Sequence, residues 1–272
     1  MVGRPSPQGR LEIANLITRH PGLWNTRGDS SIAMKLHHLH LPNIVPYSKA
    51  ARIQDRLVSA FLAHKASPSH AKAPNPTVIT AQFWPVYTCG RREVGTVSSE
   101  QQNYLRADGH AEFYEAMRGG QTTFHGPGQL IAYPILDLKK HGLTPRNYVC
   151  LLEKTVIKTC GQYGIKAMTT ENPGVWTSPD SKICALGVHL RRNITSHGIG
   201  LNVSTDLNWF SRIVACGLEG KKTTSLENEG IQGRTVEEVG QSFVHQLATA
   251  LEGIEGIDTI SELSMEADGN LH

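Results

Sequence analysis

A chain of 272 residues has room for one large domain or two small ones, and with 39% hydrophobic, 19% charged and 6% aromatic residues its usage is ordinary and globular, which excludes fibrous and wholly disordered classes. The 27 Lys and Arg against 24 Asp and Glu leave +3 with no long basic block, so charge makes no case for nucleic acid as main partner. The longest apolar runs, such as residues 130–136, fall well short of the roughly 18 needed to span a bilayer, and no membrane association is expected.

In chain order, Arg4, Arg10, Arg19 and Arg27 stand against only Glu12 and Asp29 in the first thirty residues, with Ser and Thr interspersed and no apolar h-region. A secretory signal does not fit; a mitochondrial presequence or a plain N-terminal arm over residues 1–33 does. Residues 34–41 predict a first strand, broken by Pro42 and Pro46, with Ser48 placed to cap a helix whose buried face is Ile53, Leu57 and Phe61. Residues 66–76, rich in Ala, Ser, Pro, His and Lys, predict an exposed inserted loop. Residues 77–88, 130–138 and 182–190 predict further strands. Thr144 followed by Pro145 predicts a helix start, with Val149, Leu152, Val156 and Cys160 on one face until Gly164 stops it. Thr235 and Glu238 have capping-box spacing ahead of the stripe Val239, Phe243, Leu247 and Leu251. From Gly253 the chain predicts a loose acidic tail, residues 253–272. Helices and strands are intermixed, which predicts one α/β or α+β domain over residues 34–252.

The densest unusual segment is Arg118-Gly119-Gly120-Gln121-Thr122-Thr123-Phe124-His125-Gly126-Pro127-Gly128-Gln129, with four glycines shortly before the predicted strand at Leu130. It predicts a tight loop whose missing Cβ atoms let backbone N–H groups approach a ligand, with Arg118 and His125 adding polar contacts; a turn-rich connector would read the same way. A second cluster, Ser196-His197-Gly198-Ile199-Gly200-Leu201-Asn202-Val203, puts two more glycines beside a histidine. Neither is a nucleotide fingerprint: Val203 stands where a dinucleotide loop wants its third glycine, and Gly220-Lys221 is preceded by Ala215 and followed by Lys222 where a P-loop wants Gly and Ser or Thr. His37, His38 and His40 lack a nearby acidic or cysteine partner at ligand spacing, so no metal is expected.

Five cysteines, at 89, 150, 160, 184 and 216, form no C-x-x-C pair, and their odd number points to a reducing compartment. Cys216, next to Gly217 and just before Lys221, Lys222 and Thr223-Thr224-Ser225, suits an accessible nucleophile, because nearby positive charge favours the thiolate. A buried, inert thiol is the commoner fate, expected here for Cys150 and Cys160 on a helix face and for Cys89 and Cys184 in strands.

Arg118-Gly119-Gly120 with His125-Gly126-Pro127-Gly128-Gln129-Leu130, Lys182 leading into Ala185-Leu186-Gly187-Val188, His197-Gly198, Asn202-Val203, and Cys216-Gly217-Leu218 followed by Thr224-Ser225 together resemble the lipoyl(octanoyl) transferase family. The likeness covers roughly residues 36–251, with Pro85-Val86-Tyr87-Thr88 and Gly90-Arg91-Arg92 included. It implies a mixed sheet flanked by helices, similar to the biotin and lipoate ligases. It implies transfer of an octanoyl group from octanoyl-acyl carrier protein to the lysine of lipoyl domains, those of 2-oxoacid dehydrogenase complexes and the glycine cleavage H protein, in the mitochondrion. By matching position, Cys216 would be the acyl-thioester nucleophile and Lys182 the residue that lowers its pKa. The substrate pocket would comprise Arg118, Gly119, Gly120, Gln121, Thr122, Thr123, Phe124 and His125, then Ala185, Leu186 and Gly187, then Gly198, Ile199 and Gly200.

A free cysteine near pKa 8.5 is only a few per cent thiolate at neutral pH, and a drop of about 1.5 units would make it roughly half ionised. The incoming lysine must shed a proton before or during attack, a role open to Lys182. Thioester exchange is nearly neutral and thioester to amide is downhill, so no nucleotide and no other cofactor is expected. Ala215 stands where the resemblance would put proline and Phe124 where tyrosine is common, while Cys184 adds a rival thiol near Lys182. The arm and the insertion at residues 66–76 resemble eukaryotic, fungal elaborations. The competing readings are an ATP-dependent lipoate or carboxylate ligase, which would normally lack the cysteine at this point, and a non-catalytic acyl-carrier binding module, in which Cys216 would be dispensable.

Overall fold

Val78 and Ile79 are neighbours in sequence and both buried, yet they pack in different hydrophobic layers, because successive side chains of a strand point to opposite faces. Both layers belong to one mixed sheet. The computed structural model describes residues 34–69, 73–213 and 220–267. Its elements are β1 (Met34–Val45), α1 (Tyr47–Ala66), β2 (Thr77–Phe83), β3 (Val86–Cys89), α2 (Ser99–Arg106), β4 (Glu112–Glu115), β5 (Thr123–His125), β6 (Gln129–Ile135), α3 (Pro145–Gln162), β7 (Val175–Ser178), β8 (Ser181–Arg191), β9 (Ile194–Asn202), β10 (Lys222–Thr223), α4 (Val236–Ala250), β11 (Ile254–Ile260) and α5 (Glu262–Ala267).

The large sheet runs β10-β8-β9-β6-β2-β1-β11, with β7 paired to β8 off that path. β1 is parallel to β2 and β11, and β10 is parallel to β8; β2, β6, β9 and β8 alternate antiparallel. Leu152, Val156 and Cys160 of α3 and Val239, Phe243 and Leu247 of α4 pack with Leu36, Val78 and Leu130. Ile53, Leu57 and Phe61 of α1 pack with Leu39, Ile79 and Ile131. A small sheet, β4-β3-β5, has its own cluster around Tyr87, Phe113 and Phe124. The mixed sheet flanked by helices is the expected architecture.

Local signals act as the sequence predicts at two helix starts. The Thr144 side chain accepts from Asn147 N–H with Pro145 in the first turn, and Thr235 and Glu238 form both bonds of a capping box. Elsewhere the structure corrects the reading. Ser48 does not cap α1, which starts one residue earlier behind Pro46 without a side-chain cap bond. β1 continues past Pro42 to Val45, because Asn43, at φ 64°, absorbs an irregularity between His40 and Ile44. Residues 77–88 divide at Trp84 and Pro85 into β2 and β3, which belong to different sheets. Residues 130–138 end as a strand at Ile135 and pass into a short 3-10 turn, Leu138–His141. Residues 118–129 are not all loop, since β5 pairs antiparallel with β3. Cys150 is exposed on α3, where Tyr148 and Leu152 are the buried neighbours. The acidic tail is not loose at residues 254–260: β11 adds a parallel edge strand to β1. The expected arm, residues 1–33, lies outside the described residues.

Candidate active site

The antiparallel register of β8 and β9 sets Ala185 against Gly200, Leu186 against Ile199 and Gly187 against Gly198. Three glycines in two facing strands leave a wall of nearly bare backbone. The segment after Arg118 crosses it, with Gly119 N–H donating to Val188 O at 3.0 Å. A Cβ at Gly187 would lie 3.0 Å from both Arg118 Cδ and Gly119 O, so the absent side chain is what lets this segment lie down. A Cβ at Gly200 would lie 3.2 Å from Gln129 Oε1 and 3.4 Å from His125 Nδ1.

Between this wall and β5 is a cleft with about 450 Å³ of empty space, its open mouth included. Arg118, Gly120, Gln121, Thr122, Thr123 and His125 line one side, and Ala185, Leu186, Gly187, Gly198, Ile199 and Gly200 the other. The cleft therefore brings together twelve of the fourteen residues expected to bind substrate. Gly119 and Phe124 are not among its lining residues. Phe124 points the other way because residues 123–125 form a strand: its ring stacks on Trp209 at 5.2 Å and lies beside Tyr87. Tyr133 and His197 also line the cleft. The sequence signal for Tyr133 is its alternation with Ile131 along β6; that for His197 is its place beside Gly198.

Arg118 is buried and anchors the site through its fork. Nε and Nη2 donate to Thr88 Oγ1 at 3.1 and 2.8 Å, Nη2 also donates to Thr88 O, and Nη1 donates to Gly119 O at 3.0 Å and Gln121 O at 2.9 Å. The guanidinium thus ties β3 to the segment of residues 119–121. Thr122 N–H and Oγ1 both donate to Glu93 Oε2 at 2.6 Å, fixing the tip. Burial, reinforced by the Arg118 charge, pushes both His125 and His197 down to about 3, so both rings are neutral at physiological pH. His197 has φ 55°, and its backbone N–H donates to Gln54 Oε1 at 2.5 Å. Its buried Nδ1 has no hydrogen-bond partner among the described residues. A non-glycine residue in the left-handed region at a cleft is strain of the kind found at functional sites.

Lys182 stands near the start of β8, outside the cleft lining, buried, with Nζ donating to Pro173 O at 3.1 Å and lying 4.5 Å from the Trp176 ring centroid. Gly174, at φ 130°, makes room for this arm: a Cβ there would lie 3.1 Å from Lys182 Cε. Lys182 pairs with Thr223 of β10, and Thr224 N–H donates to Lys182 O at 2.9 Å. Cys216 and Ala215 lie outside the described residues. The rival thiol Cys184 is fully buried, and burial pushes it well above the ordinary thiol range. Of the histidine trio, His38 and His40 share Thr80 Oγ1 at 2.8 and 3.1 Å, and His37 Nε2 lies 3.0 Å from Asn75 Nδ2. Among the described residues no group of three or more His, Cys, Asp or Glu is arranged to hold a metal.

Residues 47–248 match the family model described as the lipoyl protein ligase A/B catalytic domain. A Schizosaccharomyces pombe protein named "Probable octanoyltransferase" is 52% identical over 189 residues, 69% of this chain and 83% of that one. A mitochondrial octanoyl-[acyl-carrier-protein]:protein N-octanoyltransferase of Danio rerio is 46% identical over 197 residues, 72% of this chain and 83% of that one. Among solved structures, a bi-partite lipoate protein ligase from Thermoplasma acidophilum superposes with a TM-score of 0.57 at 15% identity, covering 87% of this chain and 91% of that one. At that identity the likeness carries the fold alone.

Proposed function

The chain belongs to the family of the lipoyl protein ligase A/B catalytic domain, and from that premise we propose that it moves an octanoyl group from acyl carrier protein to a lipoyl-domain lysine through a thioester on Cys216. It is an octanoyltransferase of protein lipoylation and acts in the mitochondrion. Its protein acceptors are the lipoyl domains of 2-oxoacid dehydrogenase complexes and the glycine cleavage H protein. The catalytic body takes in residues 34–260, with β11 completing the sheet beside β1, and residues 1–33 serve as presequence.

The observation that carries the role of Cys216 is the pairing of Thr223 with Lys182, which secures the chain seven positions after that cysteine beside a buried lysine. The Lys182 ammonium favours thiolate over thiol; the thiolate attacks the octanoyl carbonyl, and the carrier's sulfur leaves as a thiol carrying the Lys182 proton, so that Lys182 is left a neutral amine. The acyl chain lies in the glycine-walled cleft, where each buried CH₂ contributes about 0.8 kcal/mol. In the second half-reaction the acceptor lysine attacks the thioester, its proton passes to Lys182, and the Cys216 thiolate leaves.

The test is intact mass spectrometry of the full chain mixed with octanoyl-acyl carrier protein without ATP, for wild type, Cys216→Ala and Cys184→Ala. We expect an octanoyl adduct on wild type and Cys184→Ala, passed on to a lipoyl domain, and none on Cys216→Ala. Acylation appearing only with ATP and free acid would overturn the reading in favour of a ligase. An adduct on Cys216→Ala would overturn the assigned nucleophile.

A further inference from the structure

A chain of three side chains runs from the cleft to the segment after β10. His125 Nδ1 lies 2.7 Å from Gln129 Oε1, Gln129 Nε2 lies 2.8 Å from Asn202 Oδ1, and Asn202 Nδ2 lies 2.9 Å from Thr224 O. His125, Gln129 and Asn202 are all buried. The far end fixes every proton in the relay. Thr224 O is a backbone carbonyl and can only accept, so the Asn202 atom facing it is the amide NH₂. Asn202 therefore turns its carbonyl oxygen to Gln129, which must answer with its own NH₂. That same NH₂ reaches Phe124 O at 3.4 Å, a second carbonyl holding the amide in this sense. Gln129 is left with only its carbonyl oxygen for His125, so Nδ1 must carry the hydrogen. In a neutral ring Nε2 is then bare, and the ring lines the cleft.

We propose that Gln129 and Asn202 are positioning residues that hold His125 in its Nδ1–H form, so that Nε2 accepts a hydrogen bond from the N–H of the incoming lysine and aligns the amine on the acyl carbonyl. No proton changes hands in this contact; His125 orients the amine whose proton Lys182 receives. The identity of the donor rests on the octanoyl-transfer reading, whereas the hydrogen position on His125 follows from the relay alone. The glycine at 200 belongs to the same device, since a side chain there would crowd both ends of the His125–Gln129 bond.

The first measurement is the nitrogen shifts of His125 in ¹⁵N-histidine-labelled wild type, which report the tautomer without any substitution in the relay. We expect a protonated Nδ1 and a bare Nε2 at neutral pH; the reverse tautomer or an imidazolium overturns the proposal. Loading of the enzyme by octanoyl-acyl carrier protein and octanoylation of the lipoyl-domain lysine are then followed separately. Gln129→Leu removes the acceptor and should slow lysine octanoylation about tenfold, the equivalent of one hydrogen bond, with loading within about twofold. Gln129→Glu restores the acceptor, and as the neutral acid its hydroxyl also replaces the NH₂ that faces Asn202 Oδ1, so the rate should recover at low pH. A carboxylate would set an oxygen against the Asn202 and Phe124 carbonyls, so the recovered rate should fall as pH is raised, through an inflection absent from wild type. Lysine octanoylation unchanged in Gln129→Leu, or no new inflection in Gln129→Glu, overturns the proposal. Absence of a Cys216 adduct would instead overturn the thioester reading and leave the tautomer and overall transfer rates to decide this one.

Discussion

Replacing Arg118 by lysine keeps the charge and loses the fork. An ammonium has three donors on a flexible stem and cannot serve Thr88, Gly119 and Gln121 together as the guanidinium does. Carbonyls left without their charged donor cost about 1–3 kcal/mol each, so Arg118→Lys should lower stability by about 3 kcal/mol, read as a shift in the urea midpoint. An unchanged midpoint would mean that the fork is not an anchor. Arg118 and His125 stand out in the sequence because glycines crowd around them. Phe124 was legible only as a member of the run: the strand that turns it toward Trp209 is three residues long and depends on β3, which is remote in sequence.

At the scale of the element, the glycines of β9 are not equivalent, although both sit in one motif. A Cβ at Gly198 would lie 2.1 Å from the Ala132 backbone oxygen, a clash that only movement of β6 relieves. A Cβ at Gly200 would face side-chain atoms at 3.2 Å and beyond. Gly198→Ala should therefore destabilise the protein by several kcal/mol, on the order of a severe core overpacking, while Gly200→Ala should fold and, by crowding the His125–Gln129 bond, slow mainly lysine octanoylation. Thermal unfolding of both variants, with lysine octanoylation by the second, separates the two effects; equal melting temperatures would contradict the geometry. Helix ends were legible because a cap is a local chemical device, as at Thr144 and Thr235. β11 was not, because its side chains alternate weakly between half-buried and exposed, and its stability comes from backbone pairing with β1. Ending the chain at Leu251 would strip that partner and bare the edge of β1, so the truncated protein should aggregate on warming, as light scattering would detect.

For the whole molecule, the consequence of this architecture is a stability that fails in mild acid. His38, His125 and His197 are each buried in neutral form: burial, with His40 adding to it, holds His38 down to about 4, and burial with the Arg118 charge holds the other two down to about 3. In the unfolded chain all three titrate near 6.5. Below that pH the unfolded state takes up protons that the folded state refuses, so the sign is fixed: stability is complete above about 6.5 and is lost as pH falls toward 3–4. Each histidine contributes a limiting slope of about 1.4 kcal/mol per pH unit, so the three together reach about 4 kcal/mol per unit. Asp55, raised by burial, acts in the opposite direction, but one carboxyl does not offset three imidazoles. A domain with a margin of about 5–15 kcal/mol should then unfold within two or three units of neutrality. Urea midpoints at pH 7.5, 6.5 and 5.5 check this, and a flat profile would contradict it. His38 lies outside the cleft, bonded to Thr80, so His38→Gln should remove about one third of the slope while leaving octanoyl loading intact. His125 and His197 are held neutral by the same burial and the same arginine that shape the cleft, so acid sensitivity and the candidate site share one physical origin.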